Sequence, residues 1–347
     1  MAGTKNLRKG YSMHSITEHT IKTARHTTAY LACGPSNGNQ IFLLHGWPEL
    51  ALSWRHQLHT LGNLGYRVIA PDMRGYGKSS VYTEHRAYRM SECLLDMVEL
   101  WQGLGERRTV WIGHDWGSPV VWTLAKCEPQ MAAAIGNLCV PLGMEGGINN
   151  WLPLIDRTIY PEATFPAGQW DYQLFYEENF AKAQQEMDSD PYKVIKMLFR
   201  KGDPAGTGKP SFTAFIRKNG GWTKNGELPD EPLDTDVVTE QEARVYSSSL
   251  ERNSFFGPCA WYMNHKENAE FDSRHDGNHI FQMPTLFLHA KYDYVCETSQ
   301  SRLADPMRKA CPNLTEETIE SGHWMAQEQP VEVTASINRW IIKQSIF

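Results

Sequence analysis

The sequence predicts an α/β protein with a mostly parallel central sheet that is flanked by helices. Short, wholly apolar segments alternate with segments of helical periodicity, and one apolar segment runs through a glycine-containing turn directly into a helix. The alternation stops in the middle of the chain and resumes near its end, which indicates an insertion. Strands that are apolar throughout are typical of parallel sheets covered on both faces, and their alternation with helices indicates right-handed crossovers.

The composition excludes several classes of protein. The chain has 347 residues, of which 41% are hydrophobic and 21% are charged, so it can bury a large core. Asp plus Glu (40) exceeds Lys plus Arg (34), and the net charge of −6 argues against nucleic acid as a partner. The apolar runs are far shorter than the roughly 20 residues of a membrane-spanning helix, so no membrane anchor is expected.

The cysteines and the N-terminus predict a cytoplasmic location. The seven cysteines are scattered and include no Cys-x-x-Cys pair, which fits a reducing compartment rather than a disulfide scaffold. Lys5, Arg8 and Lys9 are not followed by an apolar run, so no secretory signal is expected.

The first half of the chain contains four predicted strands: Ile41–Leu44, Arg67–Ala70, Thr109–Ile112 and Ala133–Val140. Among them, Met90–Trp101 has apolar residues at helical spacing, and this pattern ends at Gly103. The strand pattern returns at Thr285–His289, and Val331–Ile342 is predicted to form a closing helix. These elements together predict the sheet and its covering helices.

The middle of the chain has a different character. It is rich in aromatic residues and has no clear strand pattern. A helix is predicted to begin at Thr239, because Thr239 and Glu242 have the spacing of a capping box. We therefore predict an α/β core whose first part is residues 1–144, a helical lid at 145–272, and a second part of the core at 273–347.

The turn after the Thr109–Ile112 strand is the first candidate for chemistry. Gly113 and Gly117 allow a sharp turn with a close approach between strand and helix. Asp115, at the centre of the turn, is expected to project at the helix N-terminus, where free backbone amides favour an anion. Such an aspartate can simply cap the helix, or it can be a nucleophile, because related turns carry a nucleophilic serine at this position.

Two later residues are expected to meet Asp115. Asp293 follows the predicted strand Thr285–His289, and His323 lies in a glycine-containing loop near the end of the chain. Sites in open α/β sheets form beyond the carboxyl ends of the strands. The chain order nucleophile, acid, histidine is also the one used by proteins with this strand–turn–helix unit.

The loop after Ile41–Leu44 is predicted to complete the site. A turn there can direct the backbone N–H of Trp47 at Asp115, and the N–H of Trp116 would be the second donor of an oxyanion hole. His45, in the same loop, is expected to brace the turn rather than to react.

No metal and no organic cofactor are predicted. His56 with His59, and His275 with His279, have helical spacing but lack a third zinc ligand. The Gly75-x-Gly77 stretch lacks the full dinucleotide-binding pattern.

These motifs resemble those of the α/β-hydrolases, and specifically the soluble epoxide hydrolases, over nearly the whole chain from about residue 15. The core stretches that carry the resemblance are His45–Glu49, Asp72–Ser79, Gly113–Gly117, Asp293 and Gly322–Trp324. Dehalogenases share this core pattern, but the lid stretches Asp171–Leu174 and Gly257–Tyr262 narrow the family. The resemblance implies an α/β-hydrolase fold with an inserted helical lid.

The resemblance also implies roles for lid residues. Tyr172 and Tyr262 would hold and protonate an epoxide oxygen, with Tyr176 as the fallback for Tyr262. Trp47 stands where these enzymes commonly have Phe, but only its amide is required. Ala260 stands where Asn is usual, which could change how Tyr262 is held.

The expected reaction is hydrolysis of a small apolar epoxide to a vicinal diol. Asp115 would form a covalent ester, and His323, oriented by Asp293, would activate the hydrolytic water. The alternatives are a haloalkane or haloacid dehalogenase with the same three residues, and a binding protein on the same scaffold. The sequence leaves both a monomer and a homodimer open.

Overall fold

One sheet of eight strands forms the centre of the computed structural model, which describes residues 13–223, 226–275 and 279–347. The strands are β1 (Thr17–Lys22), β2 (Thr27–Cys33), β3 (Gln40–Leu44), β4 (Arg67–Pro71), β5 (Thr109–His114), β6 (Ala132–Leu138), β7 (Thr285–Ala290) and β8 (Leu314–Ile319). Lys5, Arg8 and Lys9 lie outside the described residues.

The sheet has the order β1-β2-β4-β3-β5-β6-β7-β8. β2 runs antiparallel to both of its neighbours, and every other neighbouring pair is parallel. This topology confirms the predicted mostly parallel sheet.

Eleven α-helices lie in the described part of the chain. They are α1 (Arg55–Asn63), α2 (Met90–Gly103), α3 (Gly117–Cys127), α4 (Asp171–Asp188), α5 (Pro191–Leu198), α6 (Glu240–Asn253), α7 (Phe256–Ala260), α8 (His265–Ser273), α9 (Asp305–Ala310), α10 (Met325–Glu328) and α11 (Pro330–Lys343). None of them is both long and apolar enough to cross a lipid bilayer.

The strands recognised in the sequence are those at the centre of the sheet. Every residue of β3, β5, β6 and β7 is buried, and each fully buried Leu, Ile, Val or Phe contributes about 1.5–3 kcal/mol. One boundary was wrong: the predicted strand Ala133–Val140 is Ala132–Leu138, and Cys139 beyond it has a φ of +66°. A positive φ takes the chain out of the extended conformation.

Three strands gave no clear apolar signal in the sequence. β1 and β8 have polar sequences and alternate between exposed and half-buried positions along much of their length. β1 and β8 are the two edge strands of the sheet. The third strand, β2, lies between β1 and β4 and is not an edge strand. An edge strand needs fewer apolar residues than a central strand, because it has only one strand neighbour and less cover.

The segment between β6 and β7 contains α4 to α8 and, among its described residues, contributes no strand to the sheet. α6 begins with the predicted capping box: the Glu242 carboxylate accepts from the Thr239 N–H (2.9 Å), and the Thr239 hydroxyl accepts from the Glu242 N–H (3.3 Å). The predicted limits of the lid, residues 145 and 272, remain a prediction.

Candidate active site

The turn between β5 and α3 presents Asp115 in a strained backbone conformation. Asp115 has a φ of +49°, in the left-handed region that non-glycine residues rarely adopt. The turn is tight because α3 starts against β3: a Cβ on Gly117 would lie 2.2 Å from the Leu44 carbonyl oxygen. The predicted sharp turn is therefore present, and it projects the Asp115 side chain beyond the carboxyl end of β5.

The loop after β3 contacts the Asp115 carboxylate. The Trp47 N–H donates a hydrogen bond of 2.6 Å to Asp115 Oδ1. A Cβ on Gly46 would approach the same oxygen to 2.3 Å and the Trp116 nitrogen to 2.6 Å, so only glycine fits there. The Trp47 amide thus contacts the carboxylate and the Trp116 nitrogen lies close to Gly46 in the same turn, where both amides could serve an oxyanion.

His323 lies between two carboxylates. Its Nδ1 donates to Asp293 Oδ2 at 2.6 Å, and its Nε2 lies 3.6 Å from Asp115 Oδ2, a charge contact rather than a hydrogen bond. Burial lowers the pKa of His323, but Asp293 and Asp115 together outweigh burial and raise this pKa well above 6.5. The structure therefore brings together the three residues that the sequence predicts to meet.

Asp293 is held as an oriented carboxylate. Its Oδ1 accepts hydrogen bonds of 3.0 Å from the N–H groups of Val295 and Cys296. Burial raises the pKa of Asp293, but the charge and the hydrogen bond of His323 oppose burial and leave this pKa below its usual value. Asp293 is therefore an anion that fixes the ring orientation and the tautomer of His323.

The two predicted lid tyrosines lie next to the Asp115 turn: Tyr172 lines the same cavity as Asp115, and the Tyr262 ring packs against Trp116 with 5.2 Å between ring centroids. Tyr172 is the second residue of α4, and Tyr262 lies in a short 3-10 turn after α7. The centroids of their rings are 5.6 Å apart. Burial, followed by the charge of Asp115, raises the pKa of Tyr172 far above 10. Burial, followed by the nearby Tyr172 and Asp115, also raises the pKa of Tyr262 well above 10. A hydrogen bond from the Trp116 side chain lowers this pKa but does not outweigh the other effects. Both hydroxyls therefore stay protonated at neutral pH.

Tyr176, the fallback residue, is part of the same aromatic group. Its ring stacks on Tyr262 with 4.6 Å between ring centroids, and its hydroxyl has no hydrogen-bond partner among the described residues. Ala260, the departure noted in the lid motif, is fully buried at the end of α7, directly before the turn that carries Tyr262. Its carbonyl accepts from the Asn264 side chain at 3.0 Å, which ties this turn to the next helix.

A narrow cavity of about 10 Å³ adjoins Asp115 and Tyr172. It is lined by three polar side chains (Asp115, Tyr172, Gln173) and by Trp116, Pro119, Val140, Met144, Trp170 and Cys296. Two larger grooves, of about 870 and 740 Å³, contain none of the predicted site residues. We assign this narrow cavity as the candidate site, because its lining brings Tyr172 and Gln173 together with Asp115.

His45 has the bracing role predicted for it. Its Nδ1 contacts the Gly46 carbonyl at 2.9 Å, and its Nε2 accepts from the Met73 N–H at 2.9 Å. Both ring nitrogens are thus used by backbone groups. His45 is wholly buried, and burial lowers its pKa, so it is a neutral side chain that fixes the loop of Trp47.

A buried Glu49–His114 ion pair, which the sequence did not reveal, connects the loops of the site. Glu49 accepts from the Gly46 N–H (2.9 Å) and from His114 Nδ1 (2.7 Å), and His114 Nε2 contacts the His323 carbonyl at 2.8 Å. Because both partners of His114 are acceptors, its ring must carry two protons. Burial lowers the pKa of His114, but Glu49 outweighs burial and raises this pKa to about 10. Burial raises the pKa of Glu49, but His114 outweighs burial and lowers this pKa to about 2.

We expect Glu49→Gln to destabilise the protein by about 3 kcal/mol, because it leaves His114 buried without its counter-ion. The raised pKa of His114 stabilises the fold fully below pH 6.5 and loses this effect towards pH 10. The lowered pKa of Glu49 stabilises it above pH 4.5 and loses this effect towards pH 2. Urea denaturation should therefore give the largest difference from wild type between pH 4.5 and 6.5, and a smaller one towards pH 10.

The matched control is Glu240→Gln, which changes an exposed carboxylate on α6 that pairs with Arg244. This variant should leave the unfolding free energy essentially unchanged. A wild-type curve that is parallel to the Glu49→Gln curve from pH 5 to pH 10 would contradict the assigned charge state of the pair.

Two groups of side chains could in principle hold a metal: His114, Cys139 and His323, and Asp293, Cys296 and His323. In the second group, the 2.6 Å between His323 Nδ1 and Asp293 Oδ2 leaves no room for a cation between these atoms, because each metal–ligand bond takes about 2.0 Å. In the first, the His114 nitrogens already contact Glu49 and the His323 carbonyl. Both groups are thus committed to hydrogen bonds.

Comparison with known proteins places this chain in a family. Residues 39–195 match the α/β-hydrolase fold family. The chain is 30% identical to epoxide hydrolase A of Mycobacterium tuberculosis, over 94% of this chain and 97% of that protein. It is 31% identical to bifunctional epoxide hydrolase 2 of Sus scrofa over 88% of this chain, but it spans only about half (52%) of that longer protein.

Solved structures agree with these sequence matches. The crystal structure of an epoxide hydrolase from Vigna radiata superposes with a TM-score of 0.78 at 25% identity, covering 94% of this chain and 98% of that one. Epoxide hydrolase A from Mycobacterium thermoresistibile gives a TM-score of 0.74 at 28% identity, with the same coverage of both chains. With this fold, and with a relative matched along almost its entire length, the chain belongs to the epoxide hydrolase family of the α/β-hydrolase fold.

Proposed function

We propose that this protein hydrolyses small apolar epoxides to vicinal diols. The observation that carries the proposal is the set of groups around Asp115: Tyr172 lines the same cavity, Tyr262 packs on Tyr172, and Nε2 of the Asp293-bound His323 lies 3.6 Å from the carboxylate. The free thiols of all seven cysteines also support the further proposal of a cytoplasmic location.

The first half of the proposed reaction forms an ester. The Asp115 carboxylate attacks one ring carbon of the epoxide, a new C–O bond forms, and the bond between that carbon and the epoxide oxygen breaks. A carboxylate is ionised at neutral pH and needs no base for this attack. The contact from Trp47 N–H holds Oδ1, so Oδ2 is the freer oxygen and the better candidate for the attack.

The tyrosines are proposed to receive the charge that ring opening creates. The electron pair of the broken bond goes to the epoxide oxygen, and a developing alkoxide is a stronger base than a phenolate. Tyr172 or Tyr262 can therefore donate its proton, an effect of about 10²–10⁴ in rate for general acid catalysis. The polar edge of an otherwise apolar cavity suits a substrate whose only polar group is the epoxide oxygen.

The second half of the proposed reaction breaks the ester. Once Asp115 is esterified it has no negative charge, so one of the two carboxylates that raise the pKa of His323 is lost. His323 can then take a proton from water, which attacks the ester carbonyl carbon of Asp115. The amides of Trp47 and Trp116 stabilise the resulting oxyanion. Collapse of this intermediate breaks the bond between the carbonyl carbon and the alkyl oxygen, and the protonated His323 gives its proton to that oxygen as the diol leaves. The second proton of the attacking water returns to the tyrosinate, which restores both the tyrosine and the Asp115 carboxylate.

We expect wild-type protein to convert styrene oxide to its diol and to release no halide from 1-bromobutane or chloroacetate. Tyr172→Phe and Tyr262→Phe should each lower the rate of diol formation, because each removes one of two proton donors. The double variant should be far slower than either single variant. Its rate of diol formation should be about 10²–10⁴-fold below that of wild type. Product analysis by gas chromatography, with halide titration alongside, measures all of these quantities.

Tyr192→Phe is the matched control, since Tyr192 lies on α5 and its hydroxyl contacts Glu240, outside the cavity. It should behave like wild type. Halide release that survives both Tyr→Phe changes, without any diol, would replace the proposal by the dehalogenase alternative. Diol formation at the wild-type rate in the double variant would exclude the proposed role of the tyrosines.

A further inference from the structure

Gln173 is the one amide side chain in the described lining of the cavity, and the proposed reaction does not use it. It follows Tyr172 on α4 and lies in the cavity lining with Asp115. It is 1% exposed, so its amide group is removed from bulk water. A buried amide is retained in an apolar wall only where its hydrogen-bonding groups have partners, because each unpaired group costs about 1–3 kcal/mol.

The two ends of the Gln173 amide have different surroundings. Nε2 donates to the Tyr172 hydroxyl oxygen at 3.2 Å. Oε1 is buried and has no hydrogen-bond partner among the described residues. The opposite orientation of the amide would make the Tyr172 hydroxyl donate to Gln173 and would occupy the proton that an epoxide oxygen needs. The orientation present leaves that proton free, and leaves Oε1 as an unused acceptor.

No other residue of the lining donates to this acceptor, the Trp116 indole and the Cys296 thiol included, because Oε1 has no hydrogen-bond partner among the described residues. Pro119, Val140 and Met144 are apolar, and the ring nitrogen of Trp170 has no partner among the described residues. The Trp170 indole N–H is therefore not directed at Oε1, although both residues line the same cavity. A carbonyl oxygen that has no protein donor and lies in a substrate cavity is complementary to a donor on the substrate.

We infer that Gln173 is a specificity residue whose Oε1 accepts a hydrogen bond from a hydroxyl group next to the epoxide ring, so that the site favours epoxy alcohols over the corresponding epoxides without a hydroxyl. The expected effect on kcat/KM rests on the proposed function, because it requires that the protein opens epoxides. The expected effect on Kd does not depend on turnover. A neutral hydrogen bond of this kind corresponds to roughly 3- to 10-fold in affinity.

The experiment compares two pairs of ligands in wild type and in Gln173→Met, which keeps the volume and removes both amide groups. The kinetic pair is 3-phenylglycidol and trans-β-methylstyrene oxide, which differ by one hydroxyl. The binding pair is cinnamyl alcohol and trans-β-methylstyrene, the corresponding alkenes, which have no epoxide to open. For each pair, we expect wild type to prefer the ligand with the hydroxyl group. In Gln173→Met this preference should fall by about 3- to 10-fold, both in the ratio of kcat/KM values and in the ratio of Kd values from tryptophan fluorescence.

Ratios between ligands cancel any loss that affects both ligands alike, including a less well-oriented Tyr172 or a partly unfolded variant. Met144→Leu, a change in the same cavity wall without a polar group, should leave both ratios unchanged. The inference would be overturned if the kcat/KM and Kd ratios stay the same in Gln173→Met. It would also be overturned if these ratios change as much in Met144→Leu as in Gln173→Met. A changed Kd ratio in a protein that opens neither epoxide would refute the proposed function and leave the inference standing.

Discussion

Asp115→Ala should abolish diol formation, with a loss on the order of 10⁴-fold or more, because the proposed reaction has no other carboxylate at the substrate carbon. Asp293, the other carboxylate of the constellation, is tied to His323 and to two backbone amides, so it cannot replace Asp115. The variant should still fold with a modest loss of stability, since the Asp115 side chain lines a cavity, whereas the backbone φ of +49° stays and suits alanine slightly less than aspartate. Diol formation from styrene oxide measures the effect.

Asp230→Ala provides the control for this change. Asp230 is an exposed carboxylate paired with Lys196, far from the cavity lining, and its loss should leave the rate unchanged. Turnover above about 1% of wild type in Asp115→Ala would reject Asp115 as the nucleophile. The other role considered for Asp115, a cap of α3, is not the one the structure shows, because α3 has no side-chain cap hydrogen bond and the Asp115 carboxylate accepts from the Trp47 N–H instead.

His323→Gln should permit ester formation and prevent its hydrolysis. The attack by Asp115 uses no base, whereas the water that breaks the ester must lose a proton to Nε2 of His323. Glutamine keeps a hydrogen-bonding group near Asp293 but cannot accept that proton at neutral pH. Intact-mass spectrometry after mixing with styrene oxide should show an increase of one substrate mass, and fragmentation should locate it on Asp115.

The same scheme predicts the direction of the pH dependence in wild type. Esterification removes one of the charges that raise the pKa of His323, and as the pH falls below the lowered value the ring is protonated and cannot act as a base. The ester should therefore accumulate in wild type at acidic pH and disappear as the pH is raised. Quenched-flow mass spectrometry measures this change.

Two controls protect the interpretation of the trapped ester. His59→Gln changes an exposed histidine on α1 and should turn over without any adduct. The double variant Asp115→Ala, His323→Gln should form no adduct, because the acceptor of the alkyl group is gone. Absence of an adduct in His323→Gln itself, under conditions where wild type makes diol, would rule out a covalent route.

Local patterns in the sequence were sufficient for the centre of the fold. β5, its turn and α3 could be recognised because a wholly buried strand, two glycines and a following helix are adjacent along the chain. The same reasoning located Asp115, Asp293 and His323, since the ends of parallel strands meet at one edge of the sheet. The edge strands β1 and β8 could not be found in this way, because half-exposed strands have no continuous apolar run.

Resemblance to a known family identified the lid tyrosines, which composition and periodicity alone leave among many aromatic residues. The structure adds what neither source could supply, namely the distances between these rings and the stacking of Tyr176 on Tyr262. The insertion has few long-range constraints visible in the sequence, because its helices pack through side chains that are distant along the chain.

The sequence by itself determined the α/β sheet, the strand–turn–helix unit and the three residues at its edge, since each depends on neighbours along the chain or on strand order. Only the tertiary structure decided that Glu49 and His114, 65 positions apart, form a buried ion pair, and that the Gln173 amide has one paired and one unpaired end. The physical reason is that hydrogen bonding and desolvation depend on three-dimensional distances, which appear only when the elements have packed together.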